Sequence, residues 1–125
     1  MKEVIVTDQA PRTKSPLSQA IKASGFVFVS GQIGLDPATG QLVDGGIAAQ
    51  TEQTLRNIEA VLKAAGSDLS QVVKATVYLA DLDERDEMNQ VYSRFFSDQP
   101  PARAAVQVSR LVLGARVEIA VIALA

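Results

Sequence analysis

The chain has 125 residues, nearly half of them apolar, with 12 basic and 14 acidic side chains; that size and balance fit one globular domain spanning residues 1–125. It contains neither cysteine nor histidine, which excludes disulfides, thiolate metal sites, a cysteine nucleophile and the commonest base at neutral pH. A formal charge of −2, with both signs mixed along the chain, speaks against a nucleic-acid groove.

In chain order, Lys2–Thr7 reads as a short strand with Val4 and Val6 on one side, and Leu17–Ala23 as a second strand. Ser24–Gly25 turns the chain into Phe26–Ser30, whose aromatic and β-branched residues suit a pleated sheet. Gly31–Gly46 is rich in Gly, Asp and Pro, which predicts a loop, with a short paired segment around Ile33–Leu35.

The spacing of Ile47, Thr51, Leu55, Ile58, Leu62 and Ala65 predicts a helix over 46–65, stopped by Gly66 in a left-handed conformation. Val72–Leu79 alternates as a strand, with Val73, Ala75, Val77 and Leu79 on one face. A second helix over 84–96 buries Met88, Val91, Tyr92 and Phe95. Asp83 is its expected N-cap, and Pro100–Pro101 forbid its continuation. Arg103–Val112 and Arg116–Leu124 complete the chain as strands joined near Gly114.

This order predicts an α+β fold, a mixed sheet of five to six strands with two helices packed on one face. Crossovers of this kind are right-handed, which places both helices on the same side. The other face carries Val27, Val29 and Val106 or their alternates. Apolar surface of that kind is stabilised by about 25 cal/mol per Å² on burial, so a homo-oligomer with packed sheets is expected. No apolar stretch reaches membrane-spanning length, and Met1–Pro11 is too short and polar for a signal peptide. The cytoplasm is the expected location.

Arg103 follows a proline-stiffened turn at the start of a strand, and its planar fork suits a carboxylate. An edge arginine paired with a surface acid fits the same position. Glu118 sits in RVEIAVIALA, where everything after it is apolar. Such a carboxylate either pairs with Arg116 or Arg110 at a strand end, or keeps a raised pKa suited to acid–base work. Ser30–Gly31–Gln32 ends a strand with a hydroxyl beside a residue that lets a ligand approach the backbone. Asn89 lies off the buried stripe of the second helix, whereas Tyr92 fits that stripe and reads as core. No phosphate loop, dinucleotide fingerprint or metal cluster is present.

Together, SGQIGLDPATGQL at 30–42, QTEQTLRNIEAVLKAAG at 50–66, VVKATVYLADLDE at 72–84, MNQVYSRFF at 88–96 and PARAAVQVSRLVLGARVEIAVIA at 101–123 resemble the RidA/YjgF family of reactive-intermediate imine deaminases. The resemblance implies a chorismate-mutase-like fold and a homotrimer whose sheets form a central barrel, with ligand clefts between subunits. It implies hydrolysis of 2-aminoacrylate and related 2-imino acids to 2-keto acids and ammonia, without a cofactor. In that pattern Arg103 binds the substrate carboxylate, Glu118 activates water, and Ser30, Gly31 and Asn89 line the pocket. Leu17 stands where many members have tyrosine, and Ala105 where many have cysteine, which gives a more apolar pocket suited to a bulkier or more apolar substrate. Small-carboxylate binding without turnover, or an RNA-directed role in translation inhibition, is the alternative implied by the same resemblance. The acidic chain makes the RNA role less attractive.

Overall fold

The computed structural model describes all residues from Met1 to Ala125. Six strands form one sheet: β1 (Glu3–Ile5), β2 (Ala20–Ala23), β3 (Phe26–Gln32), β4 (Val72–Leu79), β5 (Ala102–Gln107) and β6 (Val117–Leu124). Two helices, α1 (Gly46–Ala64) and α2 (Arg85–Phe95), complete the mixed chorismate-mutase-like α+β fold. The sheet order is β1-β2-β3-β6-β4-β5. Only β4 and β5 run parallel, across the α2 crossover. The α1 crossover does not join neighbours, because the last strand, β6, inserts between β3 and β4 and pairs antiparallel with both.

Both helices cover one face. Period-two alternation sends Val27 and Val29 of β3, Ala75, Val77 and Leu79 of β4, and Val117, Ile119, Val121 and Ala123 of β6 into the core beneath them. They meet Leu55, Ile58, Val61 and Leu62 of α1 and Met88 and Tyr92 of α2. Val27 and Val29 are thus covered by the chain itself. The opposite face shows Phe26, Phe28 (43% exposed) and Val106 (44% exposed).

Local rules account for the element limits. Gly66 holds φ +82° and ends α1 as expected. The expected cap Asp83 gives way to Asp81, whose carboxylate accepts the Asp83 amide and opens a short 3-10 turn running into α2. Val73 points outward and Val72 inward, because a bulge between Val72 and Lys74 reverses the alternation there. The first strand is shorter than expected, with Val4 and Val6 outward and Ile5 buried. The second starts only at Ala20, since Leu17–Gln19 belong to the preceding loop. β3 instead runs on to Gln32, and the paired segment beyond it is one bridge, Leu35 to Leu42. β5 stops at Gln107, and Leu113 turns the chain back with φ +57°. No helix is long and apolar enough to cross a membrane.

Candidate active site

The end of β3 builds the first half of the site. Between Val29 and Gln32 the pairing with β6 shifts register, so Ser30 and Gly31 bulge at the strand end. The Ser30 hydroxyl donates to the Ser18 carbonyl at 2.6 Å. Its proton is therefore engaged, and it offers a ligand lone pairs only. Gly31 faces Glu118 of β6: a Cβ on Gly31 would lie 2.9 Å from the carboxyl carbon of Glu118 and overlap its Oε2. Glycine is the residue that leaves this carboxylate its place.

Glu118 is half-buried and belongs to no ion pair. Arg116, the partner considered for it, instead grips Glu84, through Nε at 2.8 Å and Nη2 at 2.5 Å. Burial without a compensating cation pushes the Glu118 carboxyl above its ordinary range.

A cleft of about 560 Å³ opens beside it, walled by Leu17, Ser30, Gly31 and Glu118 together with the loop before β2 and Val112–Leu113 before β6. The loop is held from inside by Gln19, which is 8% exposed. Its Oε1 accepts the Thr7 amide at 2.8 Å, and its Nε2 donates to the Thr7 and Pro11 carbonyls at 3.1 and 2.9 Å. Sequence reasoning did not reach Gln19, because its partners are backbone groups that no residue pattern marks.

The second half lies on β5 and α2. Arg103 follows Pro100–Pro101 and donates from Nη1 to Asn89 Oδ1 at 2.7 Å. Its guanidinium carbon stands 4.8 Å from the ring centroid of Tyr92. Both partners are neutral, and no carboxylate lies within ion-pair distance of Arg103. The cation is fixed in place with its charge uncompensated. Burial pushes the Tyr92 phenol up, with Arg103 opposing that shift, and the hydroxyl is sealed without a hydrogen-bond partner. Tyr92 is therefore core and support at once. Its position three residues after Asn89 on a helix was the available signal. Ala105, two residues along β5, shares the face of Arg103 and packs against the core.

The two halves do not meet within one chain. Arg103 pairs with Ala75 of β4, whereas Glu118 pairs with Tyr78 of the same strand. Those positions are an odd number apart, so Arg103 and Glu118 point from opposite faces of the sheet. Leu17, Ser30, Gly31 and Glu118 share one cleft; Asn89, Arg103 and Ala105 lie on the helix side. No group of His, Cys, Asp or Glu side chains is arranged to hold a metal ion.

The profile of the Endoribonuclease L-PSP family matches residues 7–125. The chain belongs to the RidA/YjgF family. A RutC family protein of Pyrococcus horikoshii is 52% identical over 123 residues, covering 98% of each chain. The 2-iminobutanoate/2-iminopropanoate deaminase of Bos taurus is 49% identical over 123 residues, covering 98% of this chain and 90% of that one. A crystal structure of a Rid-family protein from Yersinia pestis superposes with a TM-score of 0.97 at 43% identity, covering 100% of both chains. The RidA/YjgF fold thus extends over the whole chain, including both halves of the site.

Proposed function

We propose that this chain hydrolyses 2-imino acids, and the enamines that tautomerise to them, to 2-keto acids and ammonia. We place the reaction in the cytoplasm, at a site shared between two copies of the chain. The observation that carries this reading is the division of the site. A fixed, uncompensated guanidinium and a desolvated, unpaired carboxylate stand on opposite faces of one sheet, so a second copy is needed to bring them to one substrate. The name carried by the bovine relative, a 2-imino acid deaminase at 49% identity, supports the same chemistry.

Three copies packed through the open sheet face would cover Phe26, Phe28 and Val106 and close into a barrel, a ring that leaves no unpaired interface. Arg103 of one copy then holds the substrate carboxylate through parallel hydrogen bonds at the cleft of its neighbour. Ser30 accepts from the substrate N–H. Glu118 takes a proton from water as the water oxygen bonds to the imine carbon and the π-electron pair moves to nitrogen. Glu118 returns that proton to nitrogen, which gives the carbinolamine. It then relays the hydroxyl proton to the amino nitrogen as the carbon–nitrogen bond breaks, so that ammonia leaves and the ketone forms. Free imines hydrolyse in water unaided, so positioning plus one general base, worth about 10²–10⁴-fold, meets the demand.

The test is ammonia release from 2-iminobutanoate generated in situ by an amino-acid oxidase. The wild type is expected to accelerate release, and Arg103→Ala to abolish the acceleration. Wild-type rates no faster than buffer would overturn the reading.

A further inference from the structure

Arg12 and Glu118 are the two charged residues in the wall of the cleft. Nothing in the deamination step uses Arg12. It comes from the loop that Gln19 braces from beneath, so its backbone is held rather than loose. Its one acidic partner is Asp8, bound through Nη1 at 2.9 Å. The two side chains are 63% and 81% exposed, the setting in which ion pairs contribute least. The remaining guanidinium donors have no partner in the chain.

Beside it, Thr13 Oγ1 accepts the Ser15 amide at 3.1 Å, which leaves the Thr13 hydroxyl proton free to donate. The same cleft is also lined by aliphatic Leu17, Ile33 and Leu113, beside polar Ser15, Ser30 and Gln32. The volume, about 560 Å³, lies in the range of clefts that enclose far larger ligands than a four-carbon imino acid. The cleft thus combines an acid–base group, an aliphatic wall and a cationic, hydrogen-bond-donating pair in Arg12 and Thr13.

We propose that Arg12, with Thr13, forms a distal anion subsite, so that this chain favours imino acids whose side chain ends in a second carboxylate. The proposal rests on the deaminase reading and names the substrate class of that same site. The α-carboxylate goes to Arg103 of the neighbouring copy, the side-chain methylenes lie against Leu17 and Leu113, and the terminal carboxylate meets Arg12.

The experiment compares kcat/KM for the imines of glutamate, glutamine and 2-aminobutanoate, each generated in situ by an oxidase. The glutamate and glutamine imines differ only in a terminal carboxylate against a carboxamide. The wild type is expected to prefer the carboxylate by about two- to fivefold, the upper part of the range for an exposed ion pair. Added salt should lower that preference. Arg12→Gln should erase it, and Asp8→Asn, which removes the competing carboxylate, should enlarge it. Equal wild-type rates on the two imines, or an Arg12→Gln variant that keeps the preference, would overturn the subsite while hydrolysis of 2-iminobutanoate still upholds the reaction. Failure on all three substrates would overturn both.

Discussion

A side chain on Gly31 would claim the space that the Glu118 carboxylate already fills. The nearest atoms belong to the far end of a flexible side chain, and Gly31 does not hold a positive φ. Gly31→Ala is therefore expected to fold and to keep most of its stability while pushing the carboxylate aside. Misplacing a reacting group by about 1 Å can cost about 10²-fold in rate, so kcat should fall on that scale. Thermal unfolding beside steady-state assays would check the contrast; full activity in the alanine variant would contradict the assigned role of Glu118.

The raised Glu118 pKa gives a signed pH dependence. Desolvation favours the neutral form in the folded chain, so the folded pKa lies above the unfolded one. The favourable balance is complete below the ordinary Glu range and is lost as pH rises through the raised folded value. Glu118→Gln should consequently raise the melting temperature at pH 7, with the gain shrinking towards pH 4. In the wild type, kcat/KM should rise with pH as this base ionises above the ordinary Glu range.

The ring of Tyr92 supports Arg103. A cation–π contact contributes about 0.5–2 kcal/mol, so removing the ring while keeping an apolar side chain should raise KM about two- to thirtyfold. Tyr92→Leu should show that rise with a smaller change in kcat. Tyr92→Phe keeps the ring and drops only an unpartnered buried hydroxyl, so it should restore the wild-type KM. A purely structural role would instead lower stability in the leucine variant and leave KM in place.

Opposite-face placement of Arg103 and Glu118 predicts complementation. Arg103→Ala and Glu118→Gln should each be inactive alone. Refolded together in equal amounts, they should recover about a quarter of wild-type activity, since a shared interface draws its two halves independently from the two variants. Sedimentation should report an assembly of three copies. No recovery from a correctly assembled mixture would mean that each site is built from one chain.

Asn57 fixes the floor of the loop that follows β3. It is buried, donating from Nδ2 to the Ile33 carbonyl at 3.2 Å and the Leu35 carbonyl at 2.9 Å, while its Oδ1 accepts from Gln53. Asn57→Ala strips those partners from buried groups and should destabilise the chain by about 1–3 kcal/mol, read as a lowered denaturant midpoint.

The sequence by itself determined the element types. Apolar spacing of 3.6 in Ile47–Ala65 and of two in Phe26–Ser30 leaves little freedom, because each pattern makes a continuous apolar face only in its own geometry. It also singled out Arg103 and Glu118, since a charge in an otherwise apolar or proline-stiffened strand calls for a partner or a use. Where the pattern is local and the competing groups are several, it misled: Asp81 rather than Asp83 caps the turn before α2, and the bulge at Val72–Lys74 turns Val73 outward. Only the tertiary structure decided that β6 enters between β3 and β4, and hence on which face each charged group lies. Strand pairing is set by the packing of segments far apart in the chain, and a two-residue alternation defines two faces without saying which one the helices will cover.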